Sequence, residues 1–246
     1  MRGLPSTTFA AIATLLALFV PPLMAQTDGP AYVRHVIATV KPDRVMEFES
    51  LLEERAAILR DSGQQGFRNV YESVQGARYT YLIEVPLPSL AALDEPSAAE
   101  PSSDWTDRFD GAVSAQRSVI IRAYPDLSIP AGAETERSLV HYRIRRNIPA
   151  RTQEYYQWQA NELVPAMREA GRPAWFFTGR VIAGGSPQSW ISLAHVDNWA
   201  ALEVNNFAET MTPAERAQMF SRGSSVLSYA DDSFFRFRPE LSFAAD

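Results

Sequence analysis

Three histidines are all the imidazole this chain has: His35, His141 and His195. His141 opens an alternating run, His141-Tyr-Arg143-Ile-Arg145, with a guanidinium at each second residue after the ring. Side chains on a strand alternate between faces, so these three groups share one face and Val140, Tyr142 and Ile144 share the other. A cationic row is costly to bury unless it meets an anionic ligand, a carboxylate or water. The row therefore predicts a ligand site or a set of pairs with acidic side chains. Meeting helices with the apolar face would turn His141, Arg143 and Arg145 toward the interior of whatever the sheet encloses. His195 ends another strand pattern two residues before Asp197, where an imidazole can act as general base or sit as a hydrogen-bonded edge residue. His141 and His195 are thus the catalytic candidates. His35 falls one residue out of register with His141 when the Pro42 and Pro149 turns are aligned, which predicts that the two rings lie on opposite faces.

Aromatic side chains are the second resource. Tyr81 and Trp190 hold matching places on two strand patterns, and facing inward they would line an aromatic cavity; the alternative is ordinary core. The expected ligand-binding set is His141, Arg143, Arg145, Tyr81 and Trp190. No metal site and no cofactor are expected. The chain lacks His-x-x-x-His and His-x-His spacing, a dinucleotide-binding glycine motif, a phosphate-binding loop and a Gly-x-Ser-x-Gly elbow. Lys41, the only lysine, sits in a Lys-Pro turn unsuited to Schiff-base chemistry, and Asp231-Asp232 reads as a solvated turn before the last strand.

The elements that must position these residues are repeated. Arg122-Ala-Tyr-Pro-Asp-Leu-Ser128 returns 114 residues later as Arg236-Phe-Arg-Pro-Glu-Leu-Ser242, and each copy follows a short apolar strand. Tyr32 to Val40 and Leu139 to Arg145 read as first strands, each followed by a Pro turn and an amphipathic helix capped by Gly63 or Gly171. Pro165 lies inside the second of these helices and should kink it near Asn161 and Glu162. Phe67 to Val74 and Tyr79 to Val85 form a hairpin across Gly76, matched by strands from Trp175 and Trp190 across Gly184-Gly185-Ser186. Leu90-Ala-Ala-Leu93 and Trp199-Ala-Ala-Leu202 open second helical regions.

The order is β-α-β-β-α-β twice, which makes the fold class α+β: two tandem ferredoxin-like units packing sheet to sheet as an intramolecular dimeric α/β barrel. The expected boundaries are a signal peptide over 1–25, a first repeat over 31–128, a linker over 129–136 and a second repeat over 137–243. The strand Tyr32-Val-Arg-His-Val36, the turn Lys41-Pro42 and the junction Ile83-Glu-Val-Pro86 leading to Leu90-Ala-Ala-Leu93 resemble the dimeric α/β-barrel superfamily, in particular NIPSNAP- and EthD-like proteins. Monooxygenase-type sites of that superfamily combine an Asn on the first strand, a Trp on the third and a His on the second helix. Here Trp190 matches, His141 or Arg143 stands where the Asn is expected, and the second helices carry no His.

Arg2, the apolar run Phe9 to Val20 and the small residue Ala25 have the order of a secretory signal peptide. The run is too short for the roughly 20 residues a bilayer needs. An exported protein, periplasmic or extracellular, is therefore expected, and without cysteine it has no disulfide framework. The residues after Ala25 carry 22 basic and 29 acidic side chains, a net charge of −7. That balance excludes nucleic acid as the main partner and leaves no membrane partner once the leader is removed. The sequence leaves the oligomeric state open. The leading functional expectation is a protein binding a small hydrophobic or aromatic molecule, anionic or uncharged, between its two sheets. Two alternatives stand beside it: a cofactor-independent monooxygenase- or isomerase-type enzyme, and a structural or interaction protein with a filled core.

Overall fold

The computed structural model describes residues 31–63, 66–94, 101–131, 138–204 and 207–244. The expected signal peptide lies outside these residues, as does most of the expected linker. Among the described residues no helix is long and apolar enough to cross a membrane. In the first half, β1 (Tyr32–Val40) leads to helix α1 (Val45–Asp61), the hairpin β2 (Phe67–Gln75) and β3 (Thr80–Leu87), helix α2 (Ser103–Ala112) and β4 (Val113–Ala123). In the second, β5 (Leu139–Asn147) leads to α3 (Thr152–Trp158) and α4 (Val164–Glu169), then β6 (Phe176–Ala183) and β7 (Ser189–Val196). Helices α5 (Ala201–Val204) and α6 (Pro213–Ser225), strand β8 (Leu227–Phe237) and the short β9 (Phe243–Ala244) complete it.

Local chemistry explains the helix ends. Gly63 and Gly171 take the left-handed conformation just beyond α1 and α4, with φ of 65° and 63°. Pro165 has no N–H for the carbonyl four residues back. The chain answers with a wide π turn over Gln159–Leu163, in which the Val164 N–H donates to the Gln159 carbonyl. The π turn stands at the place where the sequence predicts a kink.

Both halves have one strand order, β4-β1-β3-β2 and β8-β5-β7-β6, and all pairs are antiparallel. The halves join at their edges. β4 pairs with β6 from Ile120↔Ala183 to Ala123↔Gly179, and β2 pairs with β8 from Tyr71↔Phe237 to Gln75↔Phe234. Eight strands thereby close into a ring, which leaves none of them an unpaired edge. Facing sheets alone would have left four edges open. The barrel interior is filled by side chains from all eight strands of the ring, among them Ile37, Tyr71, Leu82, Ile121, Val140, Val181, Leu193 and Phe235. The helices cover the outside of the ring over two further clusters, one under α1 and α2 and one under α3 and α4.

The repeated Pro-x-Leu-Ser stretches cross between the halves. Each forms one tight turn, Pro125–Leu127 and Pro239–Leu241. Leu127 ends the first half but is buried with Tyr155, Met167 and Trp190 of the second; Leu241 ends the second half but is buried with Phe48, Leu52 and Tyr81 of the first. The two serines repeat the exchange. Ser128 Oγ accepts from the Thr178 N–H on β6 (3.2 Å), and Ser242 Oγ accepts from the Val70 N–H on β2 (2.9 Å). The echo in the sequence is thus a reciprocal clasp.

Candidate binding site

The residues expected to line the barrel interior lie on its outer face. Val140, Tyr142 and Ile144 belong to the interior cluster, so His141, Arg143 and Arg145 point toward the helices. Tyr81 and Trp190 likewise sit in the helix-side clusters. Alternation fixes which residues share a face but not which face looks inward. An eight-stranded ring has room only for side chains, so the interior took the apolar set and the cations went where water and a carboxylate could reach them. His35 lies on the opposite, interior face, as the register offset predicts, and its ring is 5.8 Å from that of Tyr142.

Outside the ring, the ends of β5 and β7, the α4–β6 connection and α5 enclose a cleft of about 350 Å³. Its polar wall includes His141, Arg143 and Arg172, and its apolar wall includes Met167, Ala194, Val196 and Phe207. His195 also contributes to the wall. Its Nδ1 lies 3.5 Å from Asp197 Oδ1, and its buried Nε2 has no hydrogen-bond partner.

Asp232 organises the polar wall. Arg145 donates from Nη2 to both carboxylate oxygens, at 2.9 and 3.0 Å, and His141 Nε2 lies 2.7 Å from Oδ1. Arg143 donates from Nε and Nη2 to His141 Nδ1 at 3.1 and 2.9 Å, and its Nε lies 3.6 Å from Asp232 Oδ1. Nδ1 is therefore an acceptor, which places the imidazole proton on Nε2, where it is donated to Asp232. The ring stacks on Phe234 with centroids 4.2 Å apart. Arg143 Nη1 makes no hydrogen bond to the described residues. Asp232 was read from sequence as part of a solvated turn, but it lies within β8, opposite Arg143. The demand of the Arg/His row for a carboxylate was the signal that could have found it.

The electrostatics agree with this tautomer. Burial pushes His141 below its usual value, the hydrogen bond to Asp232 opposes the shift, and the Arg143 charge reinforces it. Burial also lowers Arg143, aided by neighbouring Arg145. For Asp232 burial acts upward, but the hydrogen bonds from His141 and Arg145 and the Arg145 charge outweigh it and hold the carboxyl well below the usual range. Asp232 thus stays ionised, and the His141 ring is shifted toward its neutral form.

The other expected residues are structural. Trp190 donates from Nε1 to Asn147 Oδ1 (3.2 Å) and packs edge-on to Tyr155, away from the cleft. The Tyr81 hydroxyl donates to Glu49 (2.7 Å) in the first half, and Arg145 reaches the cleft only through Asp232. Sequence reasoning also passed over Glu84. This buried interior carboxylate accepts from Asn69 (2.9 Å) and the Tyr71 hydroxyl (3.1 Å) and lies 3.9 Å from His35 Nε2. Burial raises the Glu84 carboxyl, and these partners together bring it below the usual value. Among the described residues no group of His, Cys, Asp and Glu could hold a metal ion.

No protein-family model matches the chain, and no curated protein matches it in sequence. Among solved structures the chain is similar to a candidate monooxygenase from Lactobacillus acidophilus NCFM, at 11% identity and a TM-score of 0.62, over 87% of this chain and 97% of that one. A candidate monooxygenase from Fusobacterium nucleatum subsp. nucleatum ATCC 25586 gives 11% identity and a TM-score of 0.62, over 86% and 94% of the two chains. An anthrone oxidase-like protein gives 15% identity and a TM-score of 0.58, over 84% and 90%. Identities this low carry the fold and not the chemistry. The fold is that of the dimeric α/β barrels, closed here within a single chain.

Proposed function

We propose that the chain binds a small, largely apolar molecule bearing a carboxylate or phenolate group, in the cleft outside β5 and β7. The observation that carries this is Arg143. One edge of its guanidinium is held by His141, and the residue lines a cleft whose wall is polar and apolar in about equal measure. A pocket of this size suits one small ligand, and a planar guanidinium suits an oxygen pair. The test is native mass spectrometry of the protein purified from its own host, before and after Arg143→Met. Wild type should retain a ligand, and the variant should lose it while keeping its melting temperature. A wild type that retains nothing, or a variant that still binds, overturns the reading.

A second reading, a cofactor-independent oxidising or isomerising enzyme, rests on His195, a residue of the cleft wall whose Nε2 is buried without a partner and would be the base. The fold shared with candidate monooxygenases and an anthrone oxidase-like protein fits it. Dioxygen uptake or conversion of the retained ligand, lost in His195→Gln, would separate enzyme from binder. We also read residues 31–128 and 137–243 as a tandem duplication. The shared strand order and the shared tail turn support this. The signal-peptide pattern supports export, and the resemblance to NIPSNAP- and EthD-like proteins rests on the strand and turn motifs alone.

A further inference from the structure

Several arginines of this chain meet carboxylates. Arg238 meets Glu49 and Glu72, Arg145 meets Asp232, Arg108 meets Glu54 and Arg151 meets Glu154. Arg34 and Arg68 are placed differently. Among the described residues no carboxylate lies within ion-pair distance of either, and Arg34 Nε and Arg68 Nη1 are buried without a hydrogen-bond partner. Arg68 is only 7% exposed. An uncompensated buried cation is among the most costly groups a fold can carry.

The two arginines share one face of the sheet. Val36 on β1 and Val70 on β2 belong to the cluster under α1, so Arg34 and Arg68, each two residues earlier on its strand, lie on that face. Arg34 pairs with Val85 and Asn69 pairs with Glu84, which places Arg68 on the far side of Val85 from Arg34. Two strand spacings separate their backbones by about 10 Å, a gap within the combined reach of two arginine side chains. Helix α1 adds a third charge. Arg55 lies on the stripe that buries Leu51, Leu52 and Leu59, and its charge acts on Arg68. Burial first, then Arg55, pushes the Arg68 guanidinium down to about 10, so it remains charged at neutral pH.

We propose that Arg34 and Arg68, with the added field of Arg55, form a second binding site in the first half, between the sheet and α1, for an oxyanion: a phosphate or a carboxylate group. Arg34 stands in the first half where His141 stands in the second, at an offset of 107 residues. The site is separate from the Arg143 cleft and does not depend on the function proposed for it.

The experiment is thermal unfolding of the full protein in anion-poor buffer, titrated with inorganic phosphate or with acetate against chloride at equal ionic strength. Wild type should show a saturable rise in Tm of about 2–4 °C with the preferred oxyanion and none with chloride. Phosphate alone acting assigns a phosphate site, and acetate alone assigns a carboxylate site. Arg68→Met keeps the apolar stem and removes the charge; it should abolish the rise and melt no lower than wild type without the oxyanion. Arg34→Met should weaken the response at least tenfold in half-saturating concentration, and it decides the matter if Arg68→Met fails to fold. The proposal is overturned if neither anion acts beyond chloride, or if Arg34→Met responds as wild type does. A lower Tm for folded Arg68→Met in anion-poor buffer also overturns it, since the charge would then have its partner within the protein.

Discussion

Replacing Leu241 with alanine should cost as much as truncating any residue at the centre of the core, although Leu241 lies in a tail beyond the last barrel strand. It is fully buried in the cluster with Phe48, Leu51, Leu52 and Tyr81, which belong to the opposite half. Transfer of a buried leucine to water and the cavity left behind together cost about 2.7–5 kcal/mol in a site that cannot collapse. At about 2–4 °C per kcal/mol for a chain of this size, Tm should fall by roughly 5–20 °C. Leu127→Ala should do the same through the second half, where Leu127 is buried with Tyr155, Met167 and Trp190. Each tail is anchored in the half it does not belong to, so either truncation must weaken both halves together. Urea unfolding followed by tryptophan fluorescence and by far-ultraviolet circular dichroism checks this: the two probes should give coincident, single transitions in both variants. Two separated transitions, or a loss below about 1 kcal/mol for either leucine, would refute the reciprocal clasp.

Three further outcomes are expected. The folded His141 is held below 6.5 by burial, so the unfolded chain takes up a proton that the folded chain refuses. Its contribution is therefore complete above about pH 6.5 and is lost as pH falls through the lowered folded value. His141→Gln, which can still accept from Arg143 and donate to Asp232 without titrating, should lose less stability than wild type between about pH 7 and pH 5 in urea titrations. At the start of α6, Thr212 and Glu215 form a reciprocal capping box, so Thr212→Ala should lower the urea-derived stability by about 1 kcal/mol. Gly179→Ala at the β4–β6 seam would set a Cβ 2.4 Å from Ile121 Cγ2 and 2.6 Å from the Arg122 carbonyl, and should cost at least about 1–3 kcal/mol in the same assay.

The strands, the caps and the alternation of the fold were legible because each has a local cause. Gly63 and Gly171 end their helices for want of a Cβ, and Pro165 forces a wide turn whatever surrounds it. What was not legible was the sign of each face. The period of two groups His141 with Arg143 and Val140 with Tyr142, but both faces of an outer-covered barrel are buried, so hydrophobicity cannot say which looks inward. The choice was settled by ring closure, a contact between residues such as Ile121 and Val181 that are distant in sequence. Asp232 escaped for a related reason: its sequence neighbourhood looks like a turn, and only pairing with β5 shows it opposite Arg143.

The cleft itself follows from what the second half substitutes into that outer face. At an offset of 107 residues, Val36 stands for Arg143 and Ala38 for Arg145. The small apolar pair in the first half belongs to one continuous cluster with Phe48 of α1 and Trp105 and Phe109 of α2, so both helices close directly onto the sheet. Arginines at the same places cannot be covered in that way, because a guanidinium sealed under apolar side chains loses its hydration with nothing in exchange. One of them is neutralised by Asp232 across the strand pair. The other is hydrogen-bonded to His141 and has only the longer contact, 3.6 Å from its Nε, to the carboxylate already held by Arg145. Its remaining charge requires water or an anion, and the space beside it is the cleft. Pairing Arg145 while leaving Arg143 without a full counter-charge is what keeps this part of the second half open where the first half is closed.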